Sequence, residues 1–123
     1  MNPRNPIKQQ QWHNIVSRLS RQFADGDVLN LEAVIYLIGV RELGQGQQAF
    51  SKDDKVGLMH IAVCRLLEPY GHYSFDHFDS DGWPHYKLEK PLPQLKPGEQ
   101  TVLMKEAIIF YFEQYAPEFL LDE

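Results

Sequence analysis

The sequence predicts a mainly α protein, a four-helix assembly with one β-hairpin inserted between helices 3 and 4. Three observations lead there. Apolar residues recur at helical spacing in four segments, each with a recognisable start or stop signal. Residues 70–86 instead mix aromatic and polar side chains around Asp79-Ser80-Asp81-Gly82, a turn sequence. A proline-spaced strap, Lys90 to Gly98, then separates that stretch from the last apolar segment.

A chain of 123 residues with 43% hydrophobic content is expected to form a single globular domain, 1–123, with a core large enough to dispense with disulfides. The only cysteine is Cys64. No segment has the form of a signal peptide and no apolar run reaches ~20 residues, so a cytoplasmic protein without a membrane span is the expectation. The net charge of −5 is uneven: residues 1–24 carry Arg4, Lys8, Arg18 and Arg21 with no acid. An acidic whole without a dense basic cluster argues against nucleic acid as a partner.

Residues 1–6 read as a lead-in, with Asn5 capping a first helix that opens on Pro6. Trp12, Ile15, Val16, Leu19 and Phe23 give that helix one apolar face, and Asp25-Gly26-Asp27 ends it. Residues 28–43 predict a second helix, apolar nearly all round from Ala33 to Val40. Gly39 weakens such a helix by ~1 kcal/mol, which close approach of another backbone would explain. After a polar loop, Gly44 to Gln48, Ser51 and Asp54 make a capping box for a third helix. Its predicted buried stripe is Val56, Met59, Val63, Leu66 and Leu67, and it runs to about Glu68, before Pro69. The last helix should start near Glu99 to Thr101 and end at about Tyr115, before Pro117. Two helices apolar on most sides, the second and the last, predict a homodimer that covers the excess.

The hairpin admits two registers. A four-residue loop, Asp79 to Gly82, sets Phe78 opposite Trp83, His77 opposite Pro84, Asp76 opposite His85 and Phe75 opposite Tyr86. One face is then mostly apolar and the other mostly polar, as a half-buried hairpin requires. A three-residue loop with Gly82 as a bulge would mix the faces. The first register is the expectation. It turns His77 inward, pairs Asp76 with His85, and leaves the Phe78–Trp83 pair exposed at the tip. Pro84 lacks a ladder donor, so an added strand is expected beside Tyr73–Phe78.

Candidate chemistry is sparse. His60 and Cys64 sit four apart on the third helix, where an imidazole could activate a thiol. Both lie beside the apolar stripe, however, and a buried cysteine next to a core-edge histidine is the commoner arrangement. His60, Cys64, Tyr70, His77 and Tyr86 are the candidates for lining a pocket between hairpin and helix 3. His72, His77 and His85 with Asp76, Asp79 and Asp81 suggest a metal, but the expected register does not converge three of them. No metal or other cofactor is therefore assigned.

Val34 to Leu43, Leu58 to Cys64 and Asp81 to Tyr86 resemble short uncharacterised bacterial proteins of the Bacteroidetes type. The resemblance implies a small cytoplasmic protein with no assigned activity. On these grounds the expected function is a small non-enzymatic interaction module, taking a protein partner on the hairpin tip and edge through Phe78, Trp83, Asp76 and His85. The alternative is a small enzyme or ligand- or metal-binding protein using the histidine-containing pocket.

Overall fold

Two of the helices, the first and the third, begin where a side chain accepts from first-turn N–H groups. In the structure, a computed structural model that describes residues 5–46 and 48–121, the order is α1 (Pro6–Phe23), α2 (Leu31–Leu43), α3 (Lys52–Leu67), β1 (Tyr73–Phe78), β2 (Pro84–Leu88) and α4 (Pro97–Tyr115). A 3-10 turn, Pro117–Leu120, follows. The fold is therefore four helices with an antiparallel hairpin between α3 and α4. The start of the lead-in, 1–4, and Gln47 of the polar loop lie outside the described residues. No helix among those described is long and apolar enough to cross a membrane.

Asn5 accepts from the Ile7 and Lys8 N–H groups at 3.0 and 3.2 Å, with Pro6 opening α1. Ser51 Oγ accepts from Asp54 N at 3.1 Å while Ser51 N donates to Asp54 Oδ2 at 3.3 Å, the reciprocal box expected for α3. Two helices differ in their starts. α2 begins at Leu31 rather than residue 28, because Leu29 N donates to Ser20 Oγ, 3.0 Å away, and so is held in the preceding loop. α4 begins at Pro97, its Lys96 N donating to Glu99 Oε1 at 3.1 Å, which shortens the proline strap.

The chain divides into two compact units, Met1–Leu31 with Gln94–Glu123, and Glu32–Pro93. In the first, α1 and α4 contact each other and both receive the terminal turn. Asn14 Nδ2 donates to the Leu120 carbonyl at 2.8 Å, Phe119 lies 5.1 Å from the Phe112 ring, and the Arg18 guanidinium sits over Phe119. In the second unit, Leu43, Leu58 and Ile61 form a buried cluster on which Tyr36, Val40, Phe50 and Trp83 pack. Gly39 of α2 meets the α3 backbone directly: a Cβ there would overlap the Leu58 carbonyl, 2.7 Å from its carbon. The close approach inferred from the sequence is thus to α3.

The α3 stripe is rotated from the expected one. Leu58, Ile61, Ala62, Cys64, Leu66 and Leu67 are buried, whereas Val56 is 65% exposed. The spacing selected a face but chose its edge wrongly. Val34, Ile35 and Ile38 of α2 and Ala107, Ile108, Ile109 and Phe112 of α4 are all buried within one chain.

Candidate functional site

The hairpin is where the second unit presents most of its chemically versatile side chains, and its register combines the two alternatives. Tyr73 pairs with Leu88, Ser74 with Lys87 and Phe75 with Tyr86, as the four-residue loop requires. Beyond Phe75 the register shifts, so that His77 faces His85 and Phe78 faces Pro84. Asp76 is the extra residue of a β-bulge. At the tip, Asp79 N donates to Trp83 O at 2.9 Å and Gly82 N to Asp79 O at 3.0 Å, with Gly82 at φ 84°. The turn is the shorter one, and the bulge restores the apolar alternation below it.

This corrects four expected placements. Asp76 does not oppose His85; its carboxylate lies 3.0 Å from His77 Nδ1. His77 does not turn inward. Its pair with His85 is next to Phe75–Tyr86 and so points to the opposite face, where the two imidazoles stack with centroids 4.8 Å apart and planes 5° from parallel. His85 Nε2 bonds instead to Asp79 Oδ2 at 2.9 Å. Finally, Trp83 is not a partner of Phe78 at an exposed tip, because it packs on the Leu43–Leu58–Ile61 cluster. Gly57 makes room for it: a Cβ at Gly57 would stand 3.2 Å from the indole edge.

Asp79 organises the tip. Its Oδ1 accepts from Asp81 N at 2.9 Å and Trp83 N at 3.0 Å, while Oδ2 holds His85. The His85 ring, and after it the Trp83 N–H, hold the Asp79 carboxyl below its ordinary value. An aspartate opening a turn and bonding the N–H two residues on is the signal that could have found it. Gln45 Nε2 donates to the Asp81 carbonyl at 2.9 Å, tying the turn to the loop after α2.

The inner face carries the aromatics. Phe75 lies 4.9 Å from Phe78 and 5.9 Å from Tyr86 by ring centroid. Tyr86 is half-buried, but Phe75 is 43% and Phe78 62% exposed, so the row runs from the body of the unit out into solvent. Both strand edges are guarded. The bulge at Asp76 breaks the regular row of backbone groups on β1, and Pro84 removes a donor from β2.

Of the pocket candidates, Cys64 lies beside His60 and close enough to Tyr86 to act on its hydroxyl, whereas His77 and Tyr70 stand apart. His60 Nε2 lies 3.5 Å from Cys64 Sγ, and the His60 ring meets Tyr73 edge-on at 6.3 Å. His77 is on the far face of the hairpin and Tyr70 is exposed on the turn after α3. Tyr86 stands near Arg65, which pairs with Glu42 at 3.2 Å and with Glu68. Burial, reinforced by the Glu42 and Glu68 charges, pushes the Tyr86 hydroxyl up to about 12. Cys64 is fully buried, and that burial pushes its thiol up to about 11. A thiol held protonated at neutral pH is a poor nucleophile, whatever imidazole stands beside it.

The same shift predicts alkaline instability. The folded state prefers the protonated thiol, so this contribution is complete below the unfolded value near 9 and is lost as pH rises toward about 11. Over that window the wild type should lose roughly 2–3 kcal/mol more than Cys64→Ala. Urea titrations at a series of pH values measure it, and parallel loss in both proteins would contradict a desolvated thiol. Among the described residues no group of three or more His, Cys, Asp or Glu side chains converges as metal ligands would. Comparisons with family models, curated proteins and solved structures give no match for this chain.

Proposed function

We propose that the protein is a small non-enzymatic cytoplasmic interaction module that uses the hairpin as a rigid arm, with Phe75 and Phe78 as its anchor. The observation that carries this reading is the exposed aromatic pair, 43% and 62% accessible, on a hairpin whose tip is fixed by Asp79, Gln45 and Trp83. Aromatic rings already held in place lose little freedom on binding, which is why they dominate the centres of interfaces.

Side chains rather than strand addition make the contact, since the bulge and Pro84 disfavour pairing at either edge. Asp76, Asp79 and Asp81 lie in the same hairpin, in a chain of net charge −5. The partner that fits is a protein with an apolar pocket and a basic rim.

A photoreactive phenylalanine analogue at position 78, in the producing cell, tests this. It should yield a discrete adduct that the same analogue at position 7, at least as exposed and in the other unit, does not. With that partner purified, Phe78→Ser should weaken binding by about 2 kcal/mol, roughly thirtyfold, and raised salt should slow association. An adduct of the chain with itself would make the partner a second copy, the homodimer expected from the sequence. No adduct specific to position 78, or binding indifferent to Phe78→Ser, would overturn the proposal.

A further inference from the structure

The opposite face of the hairpin carries a different arrangement, independent of the aromatic anchor. His77 and His85 are cross-strand neighbours with side chains 57% and 50% exposed, and each has one ring nitrogen on a carboxylate. An ionised carboxylate only accepts, so the bonded nitrogens, Nδ1 of His77 and Nε2 of His85, carry the protons. In the neutral imidazoles the lone pairs then lie on Nε2 of His77 and Nδ1 of His85, whose rings share one face of the hairpin. A histidine that gives its other N–H to a carboxylate is the arrangement that orients metal-ligating imidazoles and raises their basicity. Here it occurs twice on adjacent positions of one short hairpin.

We propose that His77 and His85 together form a site for a divalent transition-metal ion of the imidazole-preferring class, zinc or copper, at the crown of the hairpin. Zn–N bonds of about 2.1 Å place two ligating nitrogens no more than about 4.2 Å apart. The rings stack with centroids 4.8 Å apart, and their exposure leaves them room to turn until the two nitrogens reach that spacing. Water completes the coordination, because no third His, Cys, Asp or Glu among the described residues joins the pair. Asp76 and Asp79 contribute twice, by orienting the rings and by making the potential at the crown negative. The bulge is what creates the site: without the extra residue, His77 and His85 would lie on opposite faces.

The test is titration of the purified chain with Zn²⁺ alone near pH 7.5, by calorimetry and by the ring ¹⁵N shifts of the histidines. The expected result is one ion per chain, with shifts at His77 Nε2 and His85 Nδ1. His77→Ala and His85→Ala should each weaken binding tenfold or more, and Asp76→Asn, which removes only an orienting carboxylate, by roughly tenfold. His13→Ala and His60→Ala should leave it unchanged. Affinity should fall as pH is lowered, because the ligating nitrogens must be deprotonated. Circular dichroism of the variants excludes unfolding as the cause of any loss. Binding undiminished in both His77→Ala and His85→Ala, or no ring shift at a large excess of Zn²⁺, would overturn the proposal.

Discussion

Gly39→Ala is expected to destabilise the protein by about 3 kcal/mol, even though alanine is the better helix former by ~1 kcal/mol. The new methyl group would overlap the Leu58 carbonyl, and backbone cannot rotate away as a side chain can. α2 and α3 would have to separate, opening the cluster of Leu43, Leu58 and Ile61. Gly98 is the internal control: it is also helical, but a Cβ there meets nothing within 4 Å, so Gly98→Ala should be neutral or slightly stabilising. Urea denaturation of the two variants measures both effects. A Gly39→Ala protein as stable as the wild type would mean that α2 and α3 do not approach so closely.

Trp83→Ala is expected to cost roughly 3 kcal/mol, toward the low end for truncating a packed aromatic because the indole is only partly buried. The lost contacts are with the Leu43–Leu58–Ile61 cluster and with the flat seat at Gly57. Phe78→Ala, by contrast, should change stability by no more than about 0.5 kcal/mol, since that ring is mostly in solvent. The two aromatics at the hairpin tip thus differ: Trp83 packs on the unit, and Phe78 stays exposed, as the proposed anchor requires. Equal costs for the two truncations would remove that difference, and with it the basis for the proposed anchor.

Helix number, order and caps were legible because they depend on short-range chemistry. Asn5 before Pro6, and Ser51 three residues before Asp54, act within a single turn. Gly39 was legible too, as a costly residue that needed a neighbour, although only the structure identifies Leu58. The face of α3 was less so. Val56 and Leu58 are both apolar, and helical periodicity alone does not say which one meets the core.

The candidate site was the least legible, for a specific reason. The tip chemistry of Asp79 to Gly82 favours a short turn with Gly82 left-handed, while the alternation of Phe75 and Tyr86 favours the longer loop's register. Treated as exclusive, these choices turned His77 inward and left Trp83 exposed. One inserted residue, Asp76, satisfies both, and a bulge carries no signature in a single sequence beyond that conflict. The Cys64–His60 pair was correctly placed together on α3, but only its burial reveals a thiol held protonated.

The sorting of side chains by the bulge underlies both the aromatic anchor and the histidine pair, and nuclear Overhauser contacts in solution report it directly. Ring contacts are expected between His77 and His85, between Phe75 and Phe78, and from Trp83 to Gly57. Contacts between Phe78 and Trp83, with Asp76 opposite His85, would contradict it.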